Sequence, residues 1–353
     1  MPEEYISTCN WYRCTVTDED DQLMRSEIDE ELYCEQHYSE HMEENRGDDE
    51  MSEGPIHDYS YKPGTIFWSD SGERAYQPQI SKGRESLVMG MELETENKGP
   101  HNTWEIAEKI LEQVNEQDRE EKIYIKSDSS LYSGFEIVSH PGTLEYYKNH
   151  FNWQAISNLA RYKFEAWNTS TCGLHIHMNK KAFLDDKHLF KFLAFVYKNK
   201  EQFVEFSGRE SHNYASYDIE RFLNSRIDWS DYDDDDERDY DIENRKRMRG
   251  TSLGKMVKGE SVNMTRGVAV NLQPEKTVEL RLFKPSLKVN TVIASLELCD
   301  ALFNYTELIT TNEILKQNAL TFISFRDYVK AKGNNYQALS DRIELRCHSL
   351  RRQ

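Results

Sequence analysis

Charged and imidazole side chains recur at alternate positions in four short stretches of this sequence. "MGMELE" (89–94) sets Glu92 and Glu94 two residues apart, and "GFEIVSH" (134–140) places Glu136 between Phe135 and Ile137. "CGLHIHM" (172–178) sets His175 and His177 two apart, and "TVELRLF" (277–283) does the same for Glu279 and Arg281. In a strand the period of two collects these groups on one face and the aliphatic residues between them on the other. A half-solvated antiparallel strand alternates in this way by default, and lysine, serine and threonine are the cheap choices for its wet face. Here the choice is carboxylate and imidazole. If the four strands share a sheet, four carboxylates and two imidazoles converge, and without compensation some carboxylates must take up protons. Divalent cations remove that conflict. Carboxylate oxygens with imidazole suit Mg2+ or Mn2+ rather than thiolate-seeking metals. Arg281 adds a planar donor for a phosphate or carboxylate, with simple cross-strand pairing to its neighbours as the plainer alternative. Glu136 as an ordinary exposed residue and His177 as a structural one are the corresponding plain readings of those positions.

The elements that must position these groups run from 85 to 310, where strand and helix patterns alternate. Strands are expected at 85–95, 122–128 and 134–141. The spacing of Trp104, Ala107, Ile110, Leu111 and Val114 predicts an amphipathic helix over 102–117. Two more helices are expected near 143–166 and 185–206. A hairpin is expected over 267–283, turning at Pro274-Glu275-Lys276, then a helix over 290–309. Eight of the eleven residues from Asp231 to Asp241 are acidic, within a charged insertion at 229–249. That run reads as a solvated surface loop, with a substrate-binding lid as the sharper alternative. The tail from 311 to 353 reads as a helical extension.

The N-terminal segment carries a second kind of ligand. Cys9, Cys14, Cys34 and His37 form C-x4-C-x19-C-x2-H within residues 1–45. A unit this short buries little core, and two close pairs of borderline-soft ligands suit a tetrahedral structural Zn2+ that leaves no open coordination position. Three thiols in an acidic tail are the plain alternative. Residues 46–84 read as an acidic linker followed by an aromatic lead-in to the next domain.

Composition narrows the function classes. The chain has 353 residues, a net charge of −19 and a mean hydropathy of −0.82. The negative charge disfavours nucleic acid as a partner. No apolar run approaches the ~20 residues of a membrane helix, and no signal peptide is apparent, so a soluble cytoplasmic protein is expected. Six cysteines in this pattern are not a disulfide framework. There is no G-x-x-x-x-G-K-[ST] loop and no kinase motif set, so a nucleotide would have to bind through metals on the sheet.

Taken in order, "MGMELE" (89–94), "KSDSSLYSGFEIVSHP" (126–141), "STCGLHIHM" (170–178) and "RGVAVNLQPEKTVELRLF" (266–283) resemble the amidoligase family. That family falls within the carboxylate–amine ligase superfamily of glutamine synthetase and glutamate–cysteine ligase. The resemblance covers roughly residues 85–310. It implies ATP-dependent amide-bond formation: ATP phosphorylates a carboxylate to an acyl phosphate, and an amine displaces phosphate. By the same carry-over Glu92, Glu94, Glu136, His175 and Glu279 hold Mg2+ (or Mn2+), His177 lies near the ATP phosphates, and Arg281 stabilises the transferred phosphoryl group or substrate carboxylate. Asp128 and Asn271 become substrate or nucleotide contacts. The family's Asp-Gly-Ser reads Asp128-Ser129-Ser130 here, so that loop departs from the pattern.

The fold expected is α+β: a curved, mostly antiparallel sheet, helices packed on one face, a metal-rich active site on the other, and a small zinc-binding module ahead of it. The partners expected are a carboxylate and an amine, free or carried on a peptide or protein. Two competing readings stand beside the ligase. One is a metal-dependent hydrolase built on the H-x-H pair, which needs further metal-binding His and Asp on later strands, whereas His188 and His212 fall in a helix and a loop and His348 in the tail, and which leaves the E-x-E and E-x-R strands unexplained. The other is a non-catalytic interaction protein that docks through the zinc module.

Overall fold

The computed structural model of the protein describes Cys14, residues 23–25, 32–34, His37, and residues 54–81, 83–115, 121–169, 171–210, 214–217, 267–310 and 321–351. Cys9, His212, the charged insertion at 229–249 and residues 46–53 of the expected linker lie outside the described residues.

Alternating strands with one aliphatic edge need a single surface to cover, and they find it by pairing edge to edge. Seven strands make one open sheet among the described residues: β1 (Met89–Asn97), β2 (Ile123–Lys126), β3 (Phe135–Ser139), β4 (Phe164–Glu165), β5 (Leu174–Asn179), β6 (Val270–Asn271) and β7 (Thr277–Phe283). The order is β6-β7-β5-β1-β3-β2, with β4 on the far end of β1, and every pairing is antiparallel. Met91, Leu93, Ile125, Phe135, Ile137, Leu174, Ile176, Met178, Val278 and Leu280 alternate out of these strands and are fully buried. At about 1.5–3 kcal/mol for each large apolar side chain, this face fixes the register, because a one-residue slip would turn it to water.

Eight α-helices accompany the sheet among the described residues: α1 (Thr103–Asn115), α2 (Leu144–Asn149), α3 (Trp153–Asn158), α4 (Asp186–Lys198), α5 (Lys200–Ser207), α6 (Val289–Leu308), α7 (Phe322–Ala331) and α8 (Gln337–Arg346). Their apolar residues and those of the sheet form one core cluster. Thirteen of the twenty residues of α6 are buried, so it is a central helix, not an amphipathic surface one. Its buried Glu297 accepts a hydrogen bond from the Leu339 N–H (2.7 Å) and lies 3.6 Å from Lys148, which ties α6 to α8 and α2.

Three expectations are corrected, the first being the helix near 185–206, which is two helices, α4 and α5, that part at Asn199. The stretch 143–166 is not one helix. Its apolar spacing comes from a packed aromatic knot of Tyr146, Tyr147, Phe151 and Trp153. The Asn152 side chain accepts from the Ala155 N–H and starts α3 afresh, and Phe164–Glu165 leaves helix altogether to pair with β1. On α1, Trp104 is half exposed, and Ile106 takes its place in the buried stripe. The aromatic lead-in is ordered: Ile56, Ile66 and Trp68 join the core, and the Trp68 N–H donates to the Pro141 carbonyl at 2.9 Å.

Candidate active site

The strand registers carry the polar residues into one field. His175 stands opposite Glu92 across β5/β1, and His177 opposite Glu279 across β5/β7. Glu94 stands opposite Glu136 across β1/β3, Glu136 opposite Lys126 across β3/β2, and Glu279 opposite Asn271 across β7/β6. Directly opposed carboxylates such as Glu94 and Glu136 repel each other, so the pairing is costly as architecture unless a proton or a cation offsets the repulsion.

His175 is the hub. Its Nδ1 lies 3.1 Å from Glu92 Oε2 and 3.8 Å from Glu279 Oε1, while its Nε2 lies 4.0 Å from Glu94 Oε1. Two groups of three donors share this ring: Glu92, His175 and Glu279, and Glu94, Glu136 and His175, with ligand atoms inside 4.8 Å of one another in each. A neutral imidazole has one lone pair. With Nδ1–H donated to Glu92, that lone pair sits on Nε2 and faces Glu94, the carboxylate–histidine relay seen behind metal ligands generally. The Nε2 atom is buried and has no hydrogen-bond partner. Two ligands about 2.1 Å from a shared Mg2+ lie about 3–4 Å apart, so the donors have the right spread as well as the right chemistry.

The space beside Nε2 is kept open by Gly173. A Cβ there would lie 2.7 Å from His175 Nε2 and 2.6 Å from Arg209 Nη1. The Gly173 N–H meanwhile donates to Glu94 Oε2 and fixes that carboxylate. A buried, unpartnered ring nitrogen beside a cradle that a methyl group would fill fits a bound divalent cation.

Titration behaviour follows from the crowding. Burial, then the charge of Glu92, pushes the Glu136 carboxyl up to about 8, against Lys126. Burial also raises Glu94. For Glu92 burial acts upward, but His177 and His175 outweigh it and hold the carboxyl well below the usual range. For His177 burial acts downward, yet Glu92 at 3.2 Å from its Nε2 prevails and lifts the ring to about 9. The expected conflict among uncompensated carboxylates is therefore present, and it is relieved by protons.

The remaining sequence candidates are placed as follows. The Arg281 guanidinium pairs with Glu279 Oε1, and its Nε reaches the Tyr214 carbonyl at 3.4 Å. Asn271 is buried, and its amide donates to Glu279 Oε2 at 2.7 Å, so it orients that carboxylate. His177 Nδ1 lies 3.0 Å from Thr277 Oγ1. Asp128 closes a turn by accepting from the Ser130 N–H at 2.6 Å, near enough to Glu94 and Glu136 to push both upward. Outside the field, Cys14, Cys34 and His37 form a separate group of donors. His188 is buried with Nε2 on the Phe303 carbonyl (2.9 Å) and Nδ1 on the Leu184 N–H (3.3 Å), and His348 is exposed, so neither supplies the extra ligand that a hydrolase needs.

Three members of the field were missed in the sequence. Lys126, buried on the polar face with Nζ 3.8 Å from Glu136, was legible from the alternation of "IYIK". Gly173, just ahead of β5, carries no side chain and so gives no signal in the strand alternation. Arg209 had no local signal: it follows α5 in a loop, and its Nη1 lies 3.0 and 3.4 Å from the carbonyls of Arg281 and Phe283, near the register shift between β5 and β7.

The family model described as "Putative amidoligase enzyme" matches residues 11–303, which extends the span read from motifs toward the N-terminus and takes in all seven strands. No curated protein matches the chain. No helix among the described residues is long and apolar enough to cross a membrane.

Proposed function

The chain belongs to the amidoligase family, and from that premise we propose that it is an ATP-dependent carboxylate–amine ligase working through an acyl phosphate. The observation that supports this reading most is the pair of donor triads that share His175 on one face of the sheet.

In this reading Glu94, Glu136 and His175 Nε2 would hold one Mg2+ or Mn2+ ion, and Glu92 with Glu279 would hold a second. The metal supplies charge neutralisation for phosphate oxygens when bound. Asn271 and the Gly173 N–H lock the rotamers of Glu279 and Glu94. His177, cationic through Glu92, faces the nucleotide phosphates. Arg281 and Arg209 bracket the transferred group, since guanidinium geometry matches a planar phosphoryl. A substrate carboxylate oxygen attacks the terminal phosphorus of ATP, and ADP leaves. The amine nitrogen then attacks the acyl carbon, phosphate leaves with the C–O bond electrons, and the surplus amine proton passes to Asp128. Products are amide, ADP and phosphate.

The test is ADP release with Mg2+ and ATP against a panel of acids and amines, for wild type and Glu94→Gln. Turnover that needs both an acid and an amine and disappears in the variant is expected. Absence of Mg2+-dependent ATP binding by calorimetry would overturn the reading.

A further inference from the structure

The active-site field leaves unused the group at the other end of the chain. A two-stranded ribbon pairs Met24 with Tyr33 and Arg25 with Leu32, and so carries the chain back toward its start. Cys34 follows the ribbon directly, and His37 folds back so that its Nδ1 lies 3.2 Å from Cys34 Sγ. The ligand atoms of Cys14, Cys34 and His37 all lie within 4.8 Å of one another.

The geometry points to a structural zinc site at Cys14, Cys34 and His37. Zinc bound to thiolate at about 2.3 Å and to imidazole at about 2.0–2.1 Å spaces its ligands roughly 3.5–3.8 Å apart in a tetrahedron, inside the spread found here. The donors are two sulfurs and a nitrogen, against oxygens and a nitrogen in the sheet, so the two sites select different metals: zinc here, magnesium or manganese there. Among the described residues this is the one group of three donors that contains sulfur. The other described cysteines are far from such chemistry. Burial pushes the Cys172 thiol up to about 11 and Cys347 to about 12, and it raises Cys299 well above the ordinary thiol value, so these three are core thiols.

The need for a staple is visible in the packing. Tyr33 and Cys34 are buried with Cys14 and Leu23 against them, in a cluster separate from the main core. A unit of this length buries little core, so metal–ligand free energy would supply part of its stability. Zinc is redox-inert, so its effect is to tie Cys14 to Cys34 and His37 beside the ribbon.

The experiment uses the full-length chain, purified without chelator and dialysed against metal-free buffer. Elemental analysis should find about one zinc per chain in wild type and in Glu94→Gln, and a loss of most of it in Cys34→Ser. Should Cys34→Ser fail to fold, wild type exchanged with Co2+ provides the second readout. A thiolate-to-cobalt charge-transfer band is expected, which a carboxylate site cannot produce. Zinc-free wild type that takes up none on refilling would overturn the inference. So would zinc lost in Glu94→Gln but kept in Cys34→Ser, or cobalt bound with no thiolate band. Each result is independent of whether ADP release is found.

Discussion

At the scale of the residue, what matters is which atoms were left without partners. His175 Nε2 is buried and unpartnered while its Nδ1 is held by Glu92, so the ring is oriented for a ligand. Gly173 is the cheapest place to test this. In Gly173→Ala the added Cβ meets His175 Nε2 at 2.7 Å, closer than real Cβ contacts come. The ring is fixed by Glu92 and cannot easily yield. Mn2+ affinity by calorimetry is expected to fall at least ~10-fold with the far-ultraviolet circular dichroism unchanged, the scale of effect for disturbing a ligand's surroundings. An affinity within twofold of wild type would refute the cradle. Asn271 acts one step further out. Asn271→Leu removes the 2.7 Å bond to Glu279 and leaves a buried carboxylate oxygen unsatisfied. Turnover is expected to drop about 10–100-fold, and Asn271→Asp, which cannot donate, should not rescue it.

At the scale of the element, the sheet is an instrument for register. Period-two alternation made four of the strands legible before any coordinates, and it placed Glu92, Glu94, Glu136, His175 and Glu279 on one face. It failed where side chains answer to neighbours distant in sequence. Tyr146, Tyr147, Phe151 and Trp153 pack on one another and imitate helical spacing across a break at Asn152. Arg209 is held by the Arg281 carbonyl on β7, 72 residues on, a contact that no local pattern encodes. The loop between β2 and β3 is a third case. Glu96, fully buried at the far end of β1, accepts from the N–H groups of Tyr132 (2.9 Å) and Ser133 (3.2 Å) and so pins the loop that carries Asp128. Glu96→Ala leaves two backbone donors unsatisfied, at about 1–3 kcal/mol each. Proteolysis should then cut within 128–133 and turnover should fall, with Mn2+ affinity kept within about threefold because Glu94 retains the Gly173 N–H. Resistance to cleavage equal to wild type would show that Glu96 does not hold the loop.

At the scale of the whole molecule, the crowded carboxylates become a dependence of stability on pH. Glu136 has its carboxyl raised from 4.5 to about 8, so between those values the folded chain holds a proton that the unfolded chain releases. Stability at this site therefore falls as pH rises through that window. His177, raised from 6.5 to about 9, works with the same sign: its ion pair with Glu92 contributes fully below pH 6.5 and is lost as pH rises through 9. Glu92, held below 4.5, opposes them only in acid, where its contribution disappears as pH falls. The metal-free protein should accordingly lose melting temperature from pH 6 to pH 8.5. A cation on Glu94, Glu136 and His175 must displace the Glu136 proton, so binding releases protons and tightens as pH rises. Melting scans at pH 6 and pH 8.5, with and without Mn2+, should show the larger metal-induced rise at pH 8.5. Calorimetry in buffers of different ionisation enthalpy should report proton release on binding. Glu136→Gln, neutral at every pH, should reduce the metal-free slope to the part that His177 contributes and remove most of the proton release. A slope unchanged in Glu136→Gln would mean that the proton resides elsewhere in the field, and that the opposed pair Glu94 and Glu136 is not the site the cation relieves.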